Sequence, residues 1–164
     1  MTVVSRSFHR SALIRASEVE VVGAPSAKVK LLADSSGTGG VLSTVQVTLE
    51  KGADGARPHC HQRSTELFYV LKGVVRFLSG SEVLKVSKGD VVIVPPGVTH
   101  AFAAERTSSA DILIVIAPGL ERFDYFRQLT RIAQGKEVPE SLGDVQDLYD
   151  TYLLNSPQWD AVSK

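Results

Sequence analysis

From about Glu18 to Pro118 the chain reads as short β-strands. Val19-Glu20-Val21-Val22, Lys28 to Leu32 and Val41 to Leu49 are rich in β-branched residues and partly alternate apolar with polar. Leu67 to Leu71, Val74 to Leu78, Glu82 to Val86, Val91 to Val94, Thr99 to Ala104 and Asp111 to Ala117 continue the pattern. Turn formers separate these runs: Gly37-Thr38-Gly39-Gly40, Lys51 to Gly55, Lys72-Gly73, Ser79-Gly80-Ser81, Lys88-Gly89-Asp90 and Pro95-Pro96-Gly97. Strands recurring this closely leave little room for helices between them, which predicts an all-β antiparallel sandwich or barrel. The pattern changes after Pro118-Gly119. Leu120, Phe123, Phe126, Leu129 and Ile132 fall at helical spacing, predicting an amphipathic helix from Leu120 to about Gln134, with Gly135 as its stop. Ser141 is placed to cap a second helix carrying Leu142, Val145, Leu148, Tyr149, Tyr152 and Leu153 on one face. Both apolar stripes are read as faces packed on the barrel. The expected organisation is one domain over residues 1–164, with the barrel at about 18–118 and a helical segment at about 119–155.

Bulk properties narrow the function classes. The 164 residues suffice for one domain with a real core. Eighteen basic and eighteen acidic residues cancel, and no basic run gives nucleic acid or an anionic membrane a reason to bind. The longest apolar run, Ile112 to Pro118, is too short to span a bilayer, and Met1 to Ala16 holds no apolar stretch of leader length. The single cysteine, Cys60, excludes an intramolecular disulfide and suits a reducing compartment. A cytoplasmic protein is therefore expected.

The chemistry concentrates in two short stretches. The first is Pro58-His59-Cys60-His61, followed by Glu66 and Gly73. The second is Gly89, then Pro95-Pro96-Gly97, then His100. On a strand, residues two apart share a face, so His59 and His61 can converge on one ion while Cys60 points away as a packed bystander. Glu66 lies at an odd offset from His61, so Gln62 to Thr65 must turn and Glu66 must open the returning strand. On that strand Glu66, Phe68 and Val70 share a face. On the later one His100, Phe102 and Ala104 do. If the two faces meet, three imidazoles and one carboxylate surround a divalent transition ion, and Phe68 and Phe102 line an apolar pocket beside it. The fourth histidine, His9, is read as an ordinary surface or packed residue.

The combination of His59, His61, Glu66, Gly73, Gly89, Pro95-Pro96-Gly97 and His100 resembles the cupin superfamily across both of its motifs. The fifteen residues between Gly73 and Gly89 match the short spacing of bacterial single-domain members. The resemblance implies a jelly-roll β-barrel with one metal ion per chain inside, bound by His59, His61, Glu66 and His100. Two positions depart from the family pattern. Ala53 stands where a glycine is usual, and Ala104 stands where an asparagine usually closes the second motif. An inward Ala104 would make the pocket more apolar. Within the superfamily, Thr65 to Gly73 and the tail Pro118 to Phe126 look most like the small quercetin-dioxygenase-like cupins.

That resemblance implies a metal-dependent dioxygenase acting on a small aromatic or enolic molecule, with Glu66 both binding the metal and taking a substrate proton. Iron, manganese, nickel, cobalt, copper and zinc all suit these donors. Two alternatives stand beside it: a non-oxidative isomerase or cyclase, and a non-catalytic cupin that binds a metal or small molecule. A sensor with a DNA-binding helix-turn-helix has no room in the twenty or so residues before the first strand. Small cupins of this kind pair through sheet edges, so a homodimer joined through Val19 to Leu32 is expected.

Overall fold

The computed structural model describes residues 8–163, so the Met1–Ala16 stretch read for a leader lies partly outside the described residues. The expected all-β fold is present: antiparallel strands curl into a jelly-roll barrel, and three short helices follow it. The strands are β1 (Val21–Ala24), β2 (Ala27–Ala33), β3 (Ser43–Leu49), β4 (His59–Cys60), β5 (Thr65–Ser79), β6 (Glu82–Ser87), β7 (Val91–Val94), β8 (His100–Ala104), β9 (Ala110–Ala117) and β10 (Tyr152–Leu153). They run in the order β1-β2-β3-β9-β5-β8-β4-β10, with β6 and β7 also paired to β5. The helices are α1 (Phe123–Ala133), α2 (Gln146–Tyr149) and α3 (Pro157–Val162).

The barrel hangs on β5. The sequence pattern divides this stretch into two strands with a turn at Lys72-Gly73; the structure makes it one strand of 15 residues. Its first part pairs with β7 and β9, and its second part with β6 and β8, so one strand belongs to both sheets. The register slips between Val70 and Lys72, as in a β-bulge. Before the slip Glu66, Phe68 and Val70 are buried; after it Val75 and Phe77 are. One inserted residue has moved the inward phase from even to odd positions. The inserted residue is Leu71, and Gly73, two residues on, is back in register opposite Ala110. This glycine sits at φ +75°, and a Cβ there would lie 1.7 Å from the Ser109 carbonyl oxygen. A turn expected from the sequence has thus become a point of close approach within one continuous strand, because the hydrogen-bonding partners on both sides continue past it.

Inward residues of β2, β3, β5, β8 and β9 form the main core, including Leu31, Val47, Leu49, Phe68, Phe77, Phe102, Ile112 and Ile114. Strand β8 is buried on both faces. Its outer residues Ala101 and Ala103 pack with Leu78 beneath Trp159 of α3, which explains why they are small. No pattern in the sequence marked α3. The predicted helix at 120–134 is present as α1, shortened at its start because the Asp34 carboxylate holds the amides of Arg122 and Phe123. The second predicted helix is corrected. Its region holds a 3-10 turn at Pro139–Val145, the single turn α2, and then β10, which pairs with β4. Asp150 breaks the helix by adopting φ 47°, and Tyr152 and Leu153 then bond to a strand edge that the sequence pattern does not reveal.

Gly73→Ala and Gly80→Ala separate backbone conformation from close packing. Both positions have positive φ, but nothing lies within 4 Å of a Cβ at Gly80. Gly80→Ala should cost about 1 kcal/mol, the usual left-handed penalty. Gly73→Ala should cost more than ~2 kcal/mol, since β9 must also move. Thermal melts of the two variants check this, and equal shifts would contradict the close approach of Ser109 to Gly73.

Candidate metal centre

The two histidine stretches meet because β4 and β8 are neighbours, with His59 directly opposite His100. Gly97 of the Pro-Pro-Gly turn donates its amide to the His61 carbonyl at 2.7 Å, tying one motif to the other. Glu66 arrives on β5, beside β7 and β9, and faces the imidazoles from that side of the barrel. All four side chains are buried, His100 completely. One donor atom from each lies within 4.8 Å of every other. The imidazole ring centres are 4.2 to 5.2 Å apart.

The backbone sets the direction of all three rings. Nδ1 of His59 donates to the Arg57 carbonyl at 2.6 Å, Nδ1 of His61 to the Asp150 carbonyl at 2.6 Å, and Nδ1 of His100 to the Val98 carbonyl at 2.9 Å. A neutral imidazole that donates through Nδ1 carries a lone pair on Nε2. Nε2 of His61 and Nε2 of His100 each lie 2.8 Å from Oε2 of Glu66. Lone pairs this close to a carboxylate oxygen require positive charge among them, either protons or a metal cation. Second partners of this kind, fixing the tautomer of each ring, are typical of metal-ligating histidines. The donor set therefore fits a divalent transition ion held by His59, His61, Glu66 and His100.

Two further residues complete the arrangement, and the sequence pattern marks neither as part of the site. Asp150, fully buried, accepts from the amides of Gln62, Arg63 and Ser64 at 2.9, 3.0 and 3.2 Å. It thereby shapes the turn between His61 and Glu66 while its own carbonyl orients His61. Arg122, only 6 % exposed, places Nη1 3.2 Å from Oε1 of Glu66. Its guanidinium carbon lies 5.6 Å from the Tyr125 ring centre and 5.2 Å from that of Phe126. Asp150 lies outside the stretches that carry the resemblance, and Arg122 lies in the Pro118 to Phe126 tail without being marked there as a site residue. Asp150 comes from the segment read as helix, and Arg122 looked like the polar side of α1.

A cavity of about 270 Å³ opens from this cluster. His59 and Glu66 lie on its wall, together with Phe102, Val47, Leu49 and Ile114 of the barrel. Tyr125, Phe126, Leu129 and Ala133 of α1 cover it, and the β1–β2 hairpin contributes Gly23, Ala24 and Ala27. Phe102 is thus a wall residue. Phe68 is not; it packs edge-on against Phe77, Phe102 and His100 and supports them. Ala104 faces the apolar core, fully buried. Cys60 is half-buried opposite Tyr152, and burial raises its thiol pKa, so it is poorly suited to act as a thiolate.

Burial would push the Glu66 carboxyl up, but His61, His100 and Arg122 outweigh it and hold the group well below its ordinary 4.5. Burial drives His59 well below its ordinary 6.5, with His100 and His61 adding to the effect.

Replacing His61 or His100 with Ala should remove most bound metal, measured by elemental analysis of the purified protein. Full loading of a His59→Ala/His100→Ala double variant would place the ion elsewhere. The metal-free protein should lose stability on acidification. As the pH falls through 6.5, the unfolded chain protonates at His59 while the folded chain does not, so unfolding gains. Glu66 acts in the same sense below 4.5. A melting temperature unchanged from neutrality to pH 4.5 would contradict these assignments.

Residues 45–116, which contain both histidine stretches, match the model of the cupin domain. No curated protein matches the chain. Among solved structures, it is similar to an RmlC-like cupin from Shewanella frigidimarina, at 24% identity and TM-score 0.57, over 74% of this chain and 98% of that one. It is also similar to a predicted oxalate decarboxylase from Thermotoga maritima, at 18% identity and TM-score 0.58, over 65% and 98%. The Streptomyces nucleoside dehydratase Pac13 gives 19% identity and TM-score 0.56, over 70% and 88%. At these identities the likeness concerns the fold, and the activities in those descriptions differ among themselves. The barrel, the matched segment and the converging histidines together identify residues 45–116 as a cupin domain.

Proposed function

We propose that the chain is a metal-dependent enzyme, a dioxygenase acting on a small aromatic or enolic molecule. The observation that carries this reading is the position of the four-donor cluster, two of whose members, His59 and Glu66, lie on the wall of a largely apolar cavity. A structural metal site needs no such access. A divalent transition ion there would supply Lewis acidity and, for a redox-active metal, reactivity toward oxygen. The apolar wall and the cover of α1 keep water from the reacting molecule.

Glu66 fits the dual role because its two oxygens face different partners. Oε2 points to the imidazoles of His61 and His100, while Oε1 meets Arg122, which also lines the cavity. A carboxylate so well stabilised as an anion is a weak base. It can take a proton from an acidic enol or phenol hydroxyl far more readily than from an alcohol. That preference supports the substrate class. Phe102 would contact the substrate, and Phe68 would act behind it by holding the Phe102 and His100 rings.

The homodimer is proposed through the hairpin of β1 and β2, because β1 ends the sheet and Val21 on it is 50 % exposed. A monomeric mass at high micromolar concentration would count against it. No helix among the described residues is long and apolar enough to cross a membrane. A cytoplasmic setting is proposed from the lone Cys60.

Oxygen uptake against a panel of flavonols and enediols, repeated anaerobically, separates a dioxygenase from an isomerase or cyclase. Turnover that persists without oxygen would overturn the oxidative reading. Glu66→Gln is the sharper test. Gln keeps the shape and an oxygen donor but cannot serve as a base, so much of the metal should remain while turnover falls ~10²–10⁴-fold. Metal content and turnover falling together would make Glu66 a ligand only.

A further inference from the structure

Arg122 is an unusual lining for an apolar cavity. The side chain is buried, yet among the described residues its one hydrogen bond is to Glu66. Its Nε is buried with no partner at all. A guanidinium has five N–H donors, and leaving them unused away from water is unfavourable. Tyr125 and Phe126 hold the guanidinium in place through their rings, and Asp34 holds its backbone amide at 2.7 Å. The side chain is therefore fixed without being saturated. Pairing with Glu66 accounts for one of its donors and leaves the rest of the guanidinium unexplained.

The charges around it point the same way. Glu66 and Arg122 balance each other. Neutral imidazoles add nothing, so the charge of a divalent cation in the cluster would stand uncompensated beside an apolar space. Most of the rest of the wall is aliphatic and aromatic, including Val47, Leu49, Phe102, Ile114, Phe126 and Leu129, with Thr130 among the few polar residues. The exposed Arg57 adds a further positive charge to the lining. At about 30 Å³ per water, the cavity of about 270 Å³ holds roughly nine waters, or a molecule of on the order of ten non-hydrogen atoms.

We propose that Arg122 anchors the carboxylate of a small, otherwise apolar acid whose body fills the cavity beneath α1. This narrows the substrate class of the proposed enzyme and rests on that reading only in placing the ligand beside the metal cluster. A bidentate guanidinium–carboxylate pair supplies both orientation and affinity in a dry site. It would turn the apolar end of the acid toward the barrel wall and keep its functional carbon near Glu66.

The test is binding rather than turnover, so it does not depend on oxygen. Phenylacetate and its neutral isostere phenylacetamide, with benzoate and benzamide as a second pair, are titrated calorimetrically into zinc-loaded and into chelated protein. Each acid should bind ~10-fold or more tightly than its amide, as expected for a charge-assisted hydrogen bond in place of a neutral one. Arg122→Met should abolish that preference in both forms of the protein. Arg122→Lys, which keeps the charge and the fold, should retain part of it. Equal affinity for acid and amide in the wild type, no binding of either acid at millimolar concentration, or a preference that survives Arg122→Met would overturn the proposal; the last result would put the anion on the metal or on Arg57. Oxygen uptake on neutral enols without any acid preference removes this inference and leaves the proposed function standing. An acid preference with no oxygen uptake does the reverse.

Discussion

A carboxylate buried in the wall of an apolar barrel must be surrounded by positive charge or hydrogen-bond donors, and Glu66 is such a group. Its Oε2 is met by two imidazoles and its Oε1 by a guanidinium. Each partner comes from a different part of the chain: the loop after β4, the start of β8, and the residue before α1. The site is therefore a junction. If any of these elements were displaced, the buried charge would lose a partner, so the demand for compensation helps to fix how barrel and helix meet.

Strand β5 makes the junction geometrically possible. Its early part places Glu66 and Phe68 inward, and the bulge between Val70 and Lys72 then switches phase so that Val75 and Phe77 also face inward. Without that switch, the second half of the strand would turn its apolar side to solvent. The same strand thus carries the acid and carries β8, whose first residue is His100. Chemistry and core packing share one backbone irregularity.

The C-terminal segment does more than cover the barrel. Asp150 takes three amides of the His61–Glu66 turn on its carboxylate and the His61 ring on its carbonyl. Helix α1 closes the cavity with Tyr125, Phe126 and Leu129 and presents Arg122 at its start. The barrel supplies the donors of the cluster, while the segment after it shapes the ligand space.

Most of the strands, helix α1 and the grouping of His59, His61, Glu66 and His100 were legible in the sequence. These follow from local rules: alternation sets which residues share a face, and glycine and proline set where strands turn. The family resemblance added what spacing alone could not, that the two faces meet. Arg122, Asp150, β10 and α3 were not legible. Arg122 is an ordinary basic residue until α1 folds over the cavity, and Asp150 is an ordinary acid until three amides of a loop 86 to 88 residues away in sequence converge on it. The apolar spacing from Leu142 to Leu153 suited a helix, but Tyr152 and Leu153 became a strand because the exposed edge of β4 offered hydrogen bonds that no helix could. Local pattern determined which side chains could act together; burial and long-range hydrogen bonding, which exist only in the folded chain, decided what surrounds them.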